Sequence, residues 1–284
     1  MKTREYNIAI LLPTHKRTDA FSLCLFSLID LAKDLDSIQF LMGIDNDDKI
    51  GLTHFTNVIQ PELDARGINY TAVGFEHLGY AGLNRYFDTL ASHADADWHF
   101  CWCDDAIMDT QDWDERIREC TGEFKLLKVH THNEHPYSIF PIMPAEWREV
   151  TGYLSRHQLI DTEVSHIAYF LDIMKIIEVD VTHNRPELTG VEADDTAKQK
   201  QYFEGNPGDP RDFHYPTFAQ GRSDDTHRIA EYMKQQNLDL TFYNNVLAGT
   251  QNPWQRMREN DINGQTMQFN IVKDGQGQPK MVKQ

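Results

Sequence analysis

The sequence predicts an α/β fold, with a mostly parallel, Rossmann-like central sheet flanked by helices and a lid-like C-terminal region. Three observations carry this reading. Short aliphatic and β-branched runs alternate with stretches of helical periodicity. Two of the runs stop abruptly at clustered carboxylates, Asp45-Asn46-Asp47-Asp48 and Asp104-Asp105. The intervals between runs are long enough for the helical crossovers that parallel pairing requires.

Taken in order, Ile8 to Pro13 is an apolar run broken by proline and predicts the first buried strand. The polar elbow Thr14 to Asp19 follows. Phe21, Cys24, Leu25, Leu28, Leu31, Ala32 and Leu35 then recur at helical spacing, with Thr18 or Asp19 as the expected N-cap. Ile38 to Ile44 predicts a second strand ending at Asp45. An interrupted helical stretch from Leu52 to Arg66 leads to a third strand over Ile68 to Val73. Gly74, Gly79 and Gly82 flank a loop before a helix at Leu83 to Ala91.

The aromatic run Asp97 to Met108 predicts a fourth, central strand, because strands buried on both faces read as near-continuous apolar runs. Alternation along it puts Trp98, Phe100, Trp102 and Asp104 on one side, and His99, Cys101, Cys103 and Asp105 on the other. The two acids then have different work. One suits a hard divalent cation and the other a ligand hydroxyl or a loop. The competing reading is that they only turn the chain and cap the helix near Asp112 to Cys120.

Composition limits the classes. A hydrophobic fraction of 40% and a charged fraction of 25% are those of a soluble globular protein. A formal net charge of −17 argues against a broad grip on nucleic acid or anionic membrane, so nucleic acid is not an expected partner. The four cysteines show no zinc-type pairing, and buried free thiols in a reducing compartment are expected. No run is long enough for a membrane span, and the expected location is cytoplasmic.

Parallel strand ends facing one side would gather Thr14 to Arg17, Asp45, the Gly79 to Asn84 loop, and Asp104 with Asp105 into one nucleotide-sized crevice. At this point the segments Leu12-Pro13-Thr14-His15-Lys16-Arg17, Gly43-Ile44-Asp45-Asn46-Asp47-Asp48, Gly79-Tyr80-Ala81-Gly82-Leu83-Asn84 and Cys103-Asp104-Asp105 resemble the ordered motifs of GT-A fold glycosyltransferases of the family 2 type, over about residues 7–185. The resemblance implies transfer of a sugar from a nucleotide-sugar, a UDP-sugar, to a hydroxyl of a glycan or other acceptor, dependent on Mn²⁺ or Mg²⁺ and inverting.

The same resemblance implies roles for particular residues. Pro13, Thr14, Lys16 and Arg17 would lie against the nucleotide, Asp45 would hold the base or ribose, and Asn84 would approach the donor. Asp105 matches the last acid of the DxD motif and would hold the metal, with His183 as a further metal or diphosphate contact. Cys103 stands where the first acid of that motif belongs, which leaves Asp104 as a ribose contact. Residues 1–190 would form the nucleotide-sugar-binding and catalytic part, 191–250 a lid and helical region of the same domain, and 251–284 a tail.

An inverting transfer needs a base for the acceptor hydroxyl. Asp161 and then Glu163 are the candidates, at the start of the helical pattern Ile167, Phe170, Leu171 and Met174. Asp161 is equally suited to N-cap that helix, and Glu163 to favour its dipole. Lys175 to Pro186 predicts a strand running into the loop that carries His183. In Phe140 to Arg148, Trp147 is the candidate stacking platform for the acceptor, with core packing as the alternative. The acidic, Gly- and Pro-punctuated stretch Glu192 to Phe218 suits a lid, and Arg222 to Gln236 predicts a helix capped by Ser223 or Asp224.

Two other classes compete. A sugar nucleotidyltransferase would share the sheet and acids but ordinarily opens with a glycine-rich phosphate loop, and Pro13-Thr14-His15-Lys16 has no glycine. A nucleotide-sugar or glycan-binding module without turnover is motivated by Cys103.

Overall fold

The computed structural model describes residues 3–131, 135–184, 198, 213–214, 216–259, 269–273 and 279–283. Strands β1 (Tyr6–Thr14), β2 (Ile38–Asp45), β3 (Tyr70–Phe75), β4 (Ala96–Cys101), β5 (Ala106–Met108), β6 (Leu126–Thr131), β7 (Ile142–Pro144) and β8 (Met174–His183) form one sheet in the order β3-β2-β1-β4-β7-β6-β8-β5. The pairs β1–β2, β2–β3, β1–β4 and β6–β8 are parallel, and β7 and β5 run antiparallel to their neighbours. The mostly parallel α/β sheet is therefore the one the alternating pattern predicts.

Alternation along β1 builds a core on each face of the sheet. Ile8, Ile10 and Leu12 pack with Phe21, Cys24, Leu25 and Leu28 of α1 (Thr18–Leu31). Ala9 and Leu11 face the opposite layer, which holds Phe87 and Leu90 of α4 (Leu83–Ser92) and Val164 and Ala168 of α7 (Ile160–Leu171). A central strand covered on both sides must be apolar at every position, which is why Ile8 to Leu12 has no polar interruption.

Several boundaries differ from expectation for identifiable reasons. The fourth strand ends at Cys101, and the chain turns at Asp104-Asp105 before β5 crosses to pair with β8. Neither Thr18 nor Asp19 caps α1; Arg17 holds the N-cap position without a side-chain cap bond. The interrupted helix is α2 (Lys49–His54), a π-helical turn at Phe55–Ile59 and α3 (Gln60–Arg66), without a break between them. Pro61 lacks the N–H of an α-helical ladder, and the wider turn before it accommodates the loss. Asp112 is the N-cap of α5 (Trp113–Arg118), again without a side-chain bond, so neither Asp104 nor Asp105 caps that helix.

Strand β6 and helix α6 (Ala145–Thr151) complete the second half of the sheet layer. Helix α8 (Pro216–Gln235) begins earlier than predicted, so Ser223 and Asp224 lie inside it and cap nothing. Proline is well suited to the first helical turn, whose N–H groups have no intrahelical partner. Ile229, Ala230 and Met233 of α8, with Tyr243 of α9 (Thr241–Leu247), join the core formed by α4 and α7. Further on, Trp254 and Met257 of the helix Pro253–Glu259 pack against Tyr169, which ties the beginning of the 251–284 segment to α7. Residues 191–197 and 199–212, to which the lid was assigned, lie outside the described residues. Strands β9 (Phe269–Lys273) and β10 (Pro279–Lys283) pair as a separate antiparallel hairpin. No helix among the described residues is long and apolar enough to cross a membrane. All four cysteines are free, with Cys103 half-buried and the others buried.

Candidate active site at the strand ends

Thr14, Asp45 and His183 are the last residues of β1, β2 and β8, and the Asp104-Asp105 turn follows the end of β4. These strands are mutually parallel, so their carboxyl ends open on one side. There they line a cavity of about 240 Å³ with Pro13, His15, Arg17, His77, Gly79, Tyr80, Tyr86, Cys103, Gln158 and Asp161.

The turn after β1 is held from below. Lys16 has φ of 57°, and its N–H donates to Asp48 Oδ2 at 2.6 Å. The other Asp48 oxygen accepts from Gly51 N at 2.9 Å. A Cβ on Gly51 would come within 2.2 Å of the Asp48 carboxylate, so a glycine is what lets this acid sit at the start of α2. Lys16 thus contributes its backbone, while its side chain is exposed and outside the cavity lining.

Thr14 Oγ1 donates to Asp104 Oδ2 at 2.8 Å, and Arg17 Nη1 donates to Asp104 Oδ1 at 2.7 Å. The same guanidinium nitrogen lies 3.5 Å from Asp105 Oδ2. His183 Nε2 approaches Asp105 Oδ1 at 3.3 Å from the far side, and Phe140 stacks edge-on against the imidazole. The strand alternation that would separate the two acids ends at Cys101. Both carboxylates border one cavity because the chain is already turning. Burial pushes the Asp104 carboxyl above its ordinary range, against the opposing pull of Arg17 and Thr14. Burial, and then Asp105 and Asp104, push the Cys103 thiol up strongly.

A second polar centre surrounds Asp45, which is only 1% exposed. Tyr86 Oη donates to Asp45 Oδ1 at 2.6 Å, and His77 Nδ1 lies 2.6 Å from Oδ2. His15 Nδ1 approaches the same oxygen at 2.9 Å, outside hydrogen-bond geometry. The His15 and His77 rings stack with centroids 4.4 Å apart. Burial, and then Asp45, raise the Tyr86 hydroxyl pKa, so it stays a donor to the carboxylate. With Asp47, these groups form a His₂Asp₂ cluster whose ligand-type atoms lie within 4.8 Å of one another and could hold a metal ion. His15, His77 and Tyr86 were not singled out from the sequence. Their signal is their position just beyond β1, just beyond β3 and inside α4, and it becomes readable only when the order β3-β2-β1 is known.

The opposite wall of the cavity is Gln158 to Asp161, at the beginning of α7. Asp161 is half-buried and lies in the first turn; Leu159 holds the N-cap position, so Asp161 is not the cap. Its Oδ1 accepts from Thr162 N at 2.8 Å. Glu163, the second base candidate, points elsewhere. It is 1% exposed, and its Oε2 accepts from Arg156 N at 2.8 Å, from His157 N at 3.0 Å and from Ser155 Oγ. Glu163 therefore fixes the loop that carries Gln158 and is outside the cavity lining.

Two further candidates are also structural. Asn84 Nδ2 donates to Ser155 O at 3.2 Å, joining α4 to that loop without lining the cavity. Trp147 is 1% exposed in the core shared by α4 and α7, so the packing alternative holds and the ring offers no surface for stacking.

No protein-family model matches this sequence, and no curated protein matches it either. Solved structures do resemble it. A mannosyltransferase from Pyrobaculum calidifontis in complex with GDP-Man and Mn²⁺ superposes with a TM-score of 0.54 at 9% identity, over 93% of this chain and 92% of that one. S. aureus TarS 1–349 gives 0.50 at 11% identity, over 98% and 97%. The same TarS region in complex with UDP-GlcNAc gives 0.51 at 12% identity, over 97% and 99%. At this identity the likeness speaks of architecture, and the chain has the GT-A α/β fold that these glycosyltransferases share.

Proposed function

We propose that this chain is an inverting glycosyltransferase that moves a sugar from a UDP-sugar to the hydroxyl of a glycan or another hydroxyl-bearing acceptor. One observation carries the proposal. Thr14, Arg17, Asp45, Asp104, Asp105, Asp161 and His183 line a single cavity at the carboxyl ends of parallel strands in a GT-A fold. The neighbours in complex with GDP-Man and Mn²⁺ and with UDP-GlcNAc support a nucleotide-sugar as donor.

In this reading Asp45 and Thr14 face the nucleoside and Arg17 faces its diphosphate, where a fixed guanidinium can offset anionic charge through paired N–H donors. Asp105 and His183 would hold Mn²⁺ or Mg²⁺. One carboxylate and one imidazole, 3.3 Å apart, are a donor set that Mn²⁺ accepts readily. When bound, such an ion stabilises the charge that develops on the departing diphosphate. Asp161 accepts the proton of the attacking hydroxyl from the opposite wall. Arg17 orients Asp104 and Asp105 and offsets their mutual repulsion by contacting both.

Calorimetry with a set of nucleoside diphosphates, with Mn²⁺ and with excess chelator, tests the reading, together with assay of nucleoside diphosphate released from UDP-sugars. UDP binding strengthened by metal, with slow release, is expected. Preference for another nucleotide would overturn the UDP assignment, and tight binding without any release would identify a binding module.

A further inference from the structure

We infer that His15, His77, Asp45 and Asp47 form a transition-metal site, separate from Asp105 and His183, that fastens three segments of the cavity wall together. Two imidazole Nδ1 atoms converge on one oxygen, Asp45 Oδ2, at 2.6 and 2.9 Å. That oxygen can take a good hydrogen bond from His77. His15 Nδ1 is buried and has no hydrogen-bond partner. A buried imidazole nitrogen aimed at a carboxylate without bonding to it costs desolvation and gains little. A cation between these atoms converts all of them into ligands.

The donor set identifies the class of ion. Two neutral imidazoles and two carboxylates suit Zn²⁺ or Co²⁺ in four-coordination, whereas Mg²⁺ prefers an oxygen octahedron. Ligand atoms around four-coordinate zinc are about 3.3 Å apart, from bonds of about 2.0 Å. The present cluster spans up to 4.8 Å, and its two exposed members, Asp47 and His77, can close on the ion. Asp45 is already oriented, because Tyr86 Oη holds its other oxygen at 2.6 Å and itself accepts from Leu78 N at 2.8 Å. Carboxylates that ligate metals are commonly fixed in this way by a further hydrogen bond.

His15 belongs to the turn after β1, Asp45 and Asp47 to the end of β2, and His77 to the loop after β3. Metal binding joins these three segments along the wall that Asp45, His15 and His77 contribute to the cavity. The native state alone presents the ligands together, so the ion raises thermal stability by mass action. The assignment does not depend on the transfer reaction.

The test uses the full chain stripped of metal, without nucleotide. Co²⁺ is titrated while visible absorption is recorded, and Zn²⁺ binding is followed by calorimetry and melting temperature. One Co²⁺ with the intense bands of four-coordinate cobalt is expected. His15→Ala, His77→Ala and Asp47→Ala should each weaken binding by about tenfold or more, on the scale of perturbed metal sites. Asp105→Asn should leave unchanged the intense four-coordinate bands and the Co²⁺ concentration at which they appear. Asp47 is exposed, so its variant reports on the site even where a histidine variant folds poorly. Absence of the four-coordinate spectrum, or affinity that survives Asp47→Ala and is lost in Asp105→Asn, would overturn the site.

Discussion

Arg17 reaches both Asp104 and Asp105 with one guanidinium nitrogen, at 2.7 and 3.5 Å. The contact sets a carboxylate pair around a cation supplied by the chain itself. Arg17→Ala should destabilise the fold by about 2 kcal/mol, the scale of a charged hydrogen bond whose partner stays buried. It should also weaken UDP binding by roughly tenfold or more, since about 1.4 kcal/mol corresponds to tenfold. Arg17→Lys keeps the charge without the planar fork and should recover part of the stability and little of the affinity. Urea denaturation and calorimetry on the same preparations separate the two effects.

Asp105 and Asp161 should fail differently. Asp105→Asn is expected to weaken metal-dependent donor binding and to abolish both sugar transfer and donor hydrolysis, because leaving-group stabilisation is common to the two reactions. Asp161→Asn should preserve UDP binding and lower transfer by about 10²-fold or more, as expected for loss of a general base. Asn can accept the same hydrogen bond from Thr162 N that Asp161 Oδ1 accepts, so the Asn variant should melt close to the wild type. Transfer at the wild-type rate by Asp161→Asn would remove it as the base.

Glu163 predicts a pH effect of definite sign. Burial raises its carboxyl pKa above the ordinary value, against the donors from Ser155, His157 and Arg156. The folded protein therefore holds this proton more tightly than the unfolded chain. Stability contributed at this position falls as pH rises from the unfolded pKa through the folded one. Glu163→Gln imitates the protonated form and lacks that titration. The stability of wild type relative to Glu163→Gln should therefore decline from acidic to neutral pH, measured by urea denaturation across that range. Transfer activity should change by only a few-fold, in contrast to Asp161→Asn.

Trp147 distinguishes packing from recognition. With its ring in the core, Trp147→Ala should cost about 3–5 kcal/mol of stability, the usual range for emptying such a site. Trp147→Phe, which folds more readily, should leave the KM for acceptor unchanged. An acceptor KM that rises several-fold in Trp147→Phe, with stability intact, would restore a recognition role.

How much was legible follows from which physical rule each residue obeys. Thr14, Arg17, Asp45, Asp104 and Asp105 could be gathered in advance, because the carboxyl ends of parallel strands open on one side whatever lies between them, whereas His183 was singled out only through the family resemblance. The positions that escaped depend on packing, which spacing does not carry. Glu163 and Asp161 are two residues apart at one helix start, yet one is buried under a loop and the other borders the cavity. Strand β6 escaped because Lys128 and His130 break its apolar run, although Lys128 is buried in the sheet. The alternation rule for Asp104 and Asp105 failed where extended backbone gave way to a turn.

The pairing of β5 with β8 has a consequence beyond architecture. Ala106 lies opposite His183, so the residue after Asp105 is bonded into the same ladder as the end of the strand that bears the histidine. Asn184 N donates to Asp105 O at 2.8 Å and closes that ladder at the cavity. A slip of one residue would turn His183 to the other face of the sheet and carry it away from the carboxylate. A three-residue strand at the edge of the main sheet thus acts as a gauge that sets the spacing between two groups far apart in the chain. Changes in the Ala106-Ile107-Met108 segment should consequently alter chemistry at Asp105 while the central strands remain intact.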